Sequence, residues 1–556
     1  MVDGPASATT AAGAGAGARA GDAALDHKTV GTLYLVVALA FLLTSGVLGV
    51  LLRAQLAGPD GDLLTVNQYG EAFSYHGLFG VFFFLVPAVL GLATAVVPLQ
   101  IGATRLAFPR LQAMALWLTV IGGGMVAAAP FLDGGSKVVS GWTLGSPLPL
   151  GPGFGGEAVD LVILGVGLSL VAAVAASVNL VVTVAKLRAP GVTLARLPLF
   201  SWAVTVMASV FVVALGVLLA ALVMLFVDRN LGGQLLAGAS EPPGSTLWPT
   251  LFWFGAYPML WGLLVAALGI VSEIVPVFAR ARIADHGRAM AALGATGTLA
   301  FFGWPSEVVG LSDGRWLFVA GALVVLLPVL SVVVNWLLTL ASGRRHPRPG
   351  PRTPAVPAIL AVGFSLALGL GLLAGAASAL DAAGDLHVNA FATGTQHGLF
   401  FLPVTLALVA GLHFWGPKLW GRRLSVGAGR LEALLLVGGG LLLTASLLVL
   451  GLQDMPLHVA TYASGEGWQA AGVAAAVGGA AFGLGAVVVV LDVVGALAGR
   501  PAPVGRDPWG GHTLEWTTTS PPPPHNFTVL PLVVSATPAL DLREAAGGAG
   551  TGEDGS

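Results

Sequence analysis

Residues 75–88 read YHGLFGVFFFLVPA, so a single imidazole, His76, stands at the head of an apolar run that continues to about residue 100. A helix needs roughly 20 such residues to cross a bilayer core, and this run supplies them. An imidazole without a partner in that setting is expensive, so its retention points to something that engages it. His397 poses the same question in a second run, 388–414. The other histidines do not. His27, His286, His346, His458, His512 and His525 fall in predicted loops or tails, while His387 and His413 lie at opposite ends of the tenth predicted span, where interfacial snorkelling accounts for them.

Composition fixes the broad class. Hydrophobic residues make up 56% of the 556, only 9% are charged, and mean hydropathy is +0.87. These values describe an integral membrane protein. Hydropathy predicts an all-α, twelve-transmembrane-helix bundle with spans near 30–53, 75–100, 112–131, 158–184, 202–226, 249–278, 289–309, 315–341, 355–379, 388–414, 429–451 and 468–498. Alternate loops hold Lys28, Arg105, Arg110, Lys186, Arg188, Arg196, Arg280, Arg282, Arg288, the Arg344–Arg352 cluster, Lys418, Arg422, Arg423 and Arg430, against Arg53, Lys137, Arg229 and Arg315 on the opposite side. That bias predicts a multi-pass protein of the cell (plasma) membrane with both termini cytoplasmic.

Residues 1–27 are expected to be a disordered Ala/Gly-rich tail, 28–500 the membrane domain, and 501–556 a cytoplasmic tail containing Pro521–Pro524. Nothing in the first 25 residues reads as a cleaved signal. The absence of cysteine excludes disulfides, thiolate metal sites and iron–sulfur clusters. No basic stripe suggests nucleic acid.

Twelve spans suit a secondary transporter as well as a respiratory subunit. Transporters place ionisable groups at mid-membrane, whereas Glu273, Glu307 and Asp492 lie near predicted helix ends and no lysine is mid-span. Both histidine-bearing helices run from outside to inside, and His76 and His397 lie a few residues to two turns from the outer end. They therefore share a depth at which they could ligate one low-spin haem, a coordinated ring nitrogen being satisfied while the other donates to a carbonyl. A pair of hydrogen-bonded packing histidines is the alternative.

The surrounding motifs are more specific. YHGLFGVFFFLVPA is followed by VPLQIGA at 97–103 and AFPRL at 107–111, then by GWTL at 141–144, RAPGVTL at 188–194, PLFSW at 198–202, GIVSEIV at 269–275, WGPKLWGR at 415–422 and DPWGGHTLEW at 507–516. Together they closely resemble subunit I of haem–copper cytochrome c oxidases over about residues 30–535. By that resemblance, His76 and His397 correspond to the two low-spin haem ligands, and Arg53 to an arginine that contacts the haem formyl group, favouring haem A over haem B. The implied partners are subunit II-like and subunit III-like proteins, and a cytochrome c or other electron donor on the outer face.

The same resemblance exposes gaps. The high-spin haem ligand is replaced by Thr395, two residues before His397. The helix that should carry His-Pro-Glu-Val-Tyr reads Tyr257-Pro258-Met259-Leu260-Trp261, and the expected His-His pair is Trp304-Pro305. Tryptophan and proline side chains offer no metal donor, and a copper centre needs several donors converging on one point. Tyr257, Trp261 and Trp304 look suited to filling the vacated space. An aspartate at the mouth of the family's proton path is replaced by Arg105, and an arginine pair beside the haem propionates by Leu457-His458. His387 matches a magnesium-site residue, but Val388 replaces the aspartate after it, and no magnesium is expected. The chain thus reads as a low-spin haem protein acting in electron transfer or complex assembly, with no copper and the oxygen-reducing centre lost. A working terminal oxidase and a haem-free structural subunit are the alternatives.

Overall fold

A computed structural model describes residues 25–132, 138–145, 156–236, 247–304, 315–345, 355–381, 385–499 and 504–549. Its long helices are α1 His27–Gln55, α2 Val66–Gln100, α3 Pro109–Ala128, α4 Glu157–Lys186, α5 Leu199–Asn230, α6 Leu247–Ala279, α7 His286–Gly303, α8 Arg315–Arg345, α9 Val356–Leu380, α10 Ala390–Trp420, α11 Val426–Leu452 and α12 Gln469–Ala498. Among the described residues, eleven helices are long and apolar enough to cross a membrane. The exception is α7, which spends its first turn on His286 and Arg288 and is described for 18 residues only. The predicted seventh span, 289–309, runs on into residues 305–309, which lie outside the described residues. The expected tail at 1–27 also falls mostly outside them, and His27 is already in α1.

Successive helices pack as neighbours, and α12 returns against α1. Three helices stand apart by burial. The apolar windows of α2 and α10 are 94% buried and that of α6 is 83% buried, against 28–56% for the other eight. A helix that is apolar on every side belongs in a bundle interior, and these three form the centre. They are spaced four helices apart along the chain, an internal regularity that hydropathy does not reveal.

Two of the central helices share a local defect. In α2, residues Phe79–Leu85 are a π-helix, and in α10 residues His397–Phe401 are another. In each a proline follows closely, Pro87 and Pro403. Proline cannot donate to the carbonyl four residues back and crowds it. Widening to i→i−5 bonding, seen as Val86 N–H to Val81 O and Leu402 N–H to His397 O, accommodates it. Both segments grow out of an identical tetrapeptide, His-Gly-Leu-Phe, at 76–79 and 397–400.

At the end of the bundle that carries both termini, the chain after α12 packs down closely. Trp509 Nε1 donates to Phe414 O at 2.9 Å, and Lys418 Nζ donates to Arg506 O and Thr518 O at 2.8 Å each. A short helix, α13 Pro538–Ala549, is held by Arg282 to Asp541 and Glu544 at 2.6 Å each. His27, expected in a loop, is 3% exposed; its Nδ1 pairs with Thr94 O and its Nε2 with Asn526, both at 3.1 Å.

Candidate functional site

The two π-bearing helices bring His76 and His397 to the same side of the bundle centre, together with Arg53 of α1. His76 Nδ1 lies 2.8 Å from Ser45 O, and His397 Nδ1 lies 2.8 Å from Thr393 O. A carbonyl only accepts, so Nδ1 carries the proton in both rings and Nε2 carries the lone pair. Ser45 also donates its hydroxyl to His76 O at 2.9 Å, tying α1 to this turn. Gly49 completes the cradle, since a Cβ there would come within 2.8 Å of His76 Cε1.

Each ring is therefore oriented through one nitrogen, and among the described residues neither Nε2 has a hydrogen-bond partner. Both side chains are half-buried although the helices around them are the most enclosed in the molecule. The imidazoles lie within electrostatic reach of one another, and Arg53 lies within reach of both. Among the described residues Arg53 forms no ion pair or hydrogen bond. The arrangement offers two imidazole lone pairs, able to ligate a metal, and one uncommitted guanidinium, able to pair with an anionic or carbonyl oxygen.

Three of the substituted positions lie on the other side of α10. Tyr257, Trp261 and Thr395 line a cavity of about 330 Å³, with Trp142, Phe400 and His458 also in its wall. Tyr257, Trp261 and Trp304 were expected to fill this space; Tyr257 and Trp261 instead border it. Trp261 packs edge-on against Phe400 at 5.2 Å, and Tyr257 leans on α7, where a Cβ at Gly303 would come within 2.7 Å of its phenol oxygen. Those contacts hold both rings against the wall. Trp304 is turned away to Phe254, with ring centroids 5.7 Å apart, and Met259 is fully buried on the far face of α6. Pro305 lies outside the described residues, as does Glu307.

Two polar atoms of this lining are unused. Trp261 Nε1 and Thr395 Oγ1 are buried and have no hydrogen-bond partner. The side chains of this wall that could serve as metal donors are the Tyr257 phenol and the His458 imidazole, which burial makes harder to protonate; the other polar side chains are hydroxyls, indoles and the Gln396 amide.

Residues 29–481 match the family described as cytochrome c and quinol oxidase polypeptide I. The chain belongs to this family. It is 35% identical over 533 residues to a probable cytochrome c oxidase subunit 1-beta of Nocardia farcinica, covering 93% of this chain and 87% of the relative. It is 33% identical over 527 residues to cytochrome c oxidase subunit 1 of Bacillus subtilis, covering 94% and 82%. The fold matches a chain of a haem–copper terminal oxidase dimer solved by cryo-electron microscopy, with a TM-score of 0.66 at 17% identity over 86% of this chain and 85% of that one. It is an integral, multi-pass, all-helical membrane protein of the haem–copper oxidase subunit I family. The sequence motifs reached that family correctly. They missed the twin His-Gly-Leu-Phe segments, although the repeat is visible in the sequence, because the deeper regularity of central helices is one of burial.

Proposed function

We propose that this chain is a subunit I-like respiratory protein that binds one low-spin haem between His76 and His397 and has lost the binuclear oxygen-reducing centre. The observation that carries this reading is the contrast in donors. On one side of α10, two imidazoles are held by their Nδ1 atoms with Nε2 free, beside an unpaired Arg53. Against these, the sequence has Thr395, Tyr257, Trp304 and Pro305 where the family resemblance places metal ligands, and Met259 and Trp261 where it places a proton-shuttling carboxylate and a cross-linked tyrosine.

The residues present fit a bis-histidine haem. A haem held by His76 and His397 would supply outer-sphere, one-electron transfer. Ser45 and Thr393 keep each ring in the tautomer that ligation requires. Arg53 offers a charged donor to an oxygen at the haem edge, which favours haem A over haem B. Copper does not fit the cavity: its wall provides one phenol and one imidazole, too few convergent donors for a stable site.

This reading carries further parts. The chain spans the plasma membrane twelve times, α7 being the twelfth span, with both termini cytoplasmic. It assembles with subunit II-like and subunit III-like proteins and receives electrons from cytochrome c or another donor at the outer face. It passes electrons or supports complex assembly without reducing oxygen. Family membership and the resemblance of the motifs support these parts. Pyridine haemochrome analysis with metal quantification tests the whole: one haem and no copper in the isolated chain supports it, and two haems with copper reinstates a working oxidase. A chain with neither is a structural subunit.

A further inference from the structure

At the termini end of the bundle, away from both regions above, three consecutive helices place one ionisable side chain each at the same depth. His413 lies seven residues before the end of α10, Glu432 six residues after the start of α11, and Asp492 six residues before the end of α12. At 1.5 Å per residue each is about 9–10.5 Å from its helix end. One donor atom from each falls within 4.8 Å of the other two. His413 was expected to snorkel at the interface, but it is 4% exposed and its Nε2 lies 2.7 Å from Glu432 Oε2.

Glu432 is the telling residue. Its side chain is 0% exposed, and its second oxygen, Oε1, is buried with no hydrogen-bond partner. The carboxyl group of Asp492 stands beside it, within the same 4.8 Å cluster. Asp492 in turn accepts the Ser425 N–H on both oxygens at 3.0 Å, which fixes its position at the mouth of the cluster. Gly429 brings α11 in close, for a Cβ there would lie 2.7 Å from His413 Cε1. A buried carboxylate with an idle oxygen facing another carboxylate is costly unless a cation or a proton stands between them.

We infer that His413, Glu432 and Asp492 form a binding site for a divalent first-row transition metal, of which Zn²⁺ is the simplest case. One imidazole and two carboxylates are an N/O donor set of the kind zinc accepts, and an imidazole ligand disfavours magnesium and calcium. Three protein ligands leave a fourth position for water at the half-exposed Asp492 side. Donors bound at about 2.0–2.1 Å in a tetrahedron sit about 3.4 Å apart. That spacing lies between the 2.7 Å of the His413–Glu432 pair and the 4.8 Å that bounds the cluster, so small side-chain rotations close the site. The two negative charges balance the ion, which clamps α10, α11 and α12 together.

The test uses the full chain, solubilised, stripped with a chelator, equilibrated with Zn²⁺ and separated from free metal. Mass spectrometry of the folded fraction should find one zinc per chain in the wild type, lost in Glu432→Gln and in Asp492→Asn. Zinc should also raise the thermal transition of the wild type and leave both variants unmoved. Asp492→Asn, at the half-exposed position, keeps the test sharp if Glu432→Gln fails to fold. Absence of stoichiometric zinc in the wild type, or its retention in the variants, overturns the site and leaves a shared proton as the cation.

Discussion

The two sides of α10 differ in how their polar groups are held. On the His76–His397 side, each imidazole is anchored to a carbonyl and keeps a lone pair to give. On the Tyr257–Trp261–Thr395 side, Trp261 Nε1 and Thr395 Oγ1 are buried with no hydrogen-bond partner, and aromatic rings are packed against the wall of an open cavity. Under the proposed function, the first region is a retained site and the second a relinquished one. A retained site keeps the supporting shell that orients its donors. A relinquished one keeps the space and loses that shell.

The strongest way to break this contrast is to remove either imidazole. His76→Ala and His397→Ala should each abolish the low-spin band in reduced-minus-oxidised spectra while the chain still inserts in membranes. Survival of the band in both variants refutes the ligand assignment. A smaller effect is expected from Gly49→Val, which drives side-chain atoms into the space of the His76 ring. Overpacking of this kind costs about 1–3 kcal/mol, enough for haem retained per chain to fall about five-fold or more; retention equal to wild type would show that the ring has room to move.

Arg53→Gln should leave haem stoichiometry unchanged and shift the position of the reduced absorption band, since an uncommitted charge near the haem edge acts on its electronics rather than on its binding. An unshifted band would remove Arg53 from the site. On the opposite side of α10 the expected effect is smallest. Thr395→Val keeps the shape and deletes a buried hydroxyl that has no partner, so stability should change by less than about 1 kcal/mol or rise slightly. Haem content and spectrum should stay as in the wild type, as thermal melts and spectra of the same preparation would reveal.

The sequence made the central contrast legible because imidazoles in apolar runs are rare enough to stand out, and the motifs around His76 and His397 are long. It also displayed Thr395 and Trp261 as replacements. What it could not display was where the replacements point. Side-chain volume suggested a filled cavity, yet Tyr257 and Trp261 lie along the wall because Gly303 and Phe400 offer them surfaces to pack on. The cluster at His413 was hidden for a different reason. Its three members are 19 and 60 residues apart in sequence order, on helices whose relative depth only the bundle fixes. Reading each residue against its own helix made His413 and Asp492 look interfacial. Tertiary burial of Glu432 between them reverses that.

The most direct measurement is the cofactor content of the isolated chain, free of companion subunits: haem by pyridine haemochrome and copper by elemental analysis. The account predicts one haem and no copper per chain, with the haem lost in His76→Ala and His397→Ala. Two haems and one copper per chain would contradict it.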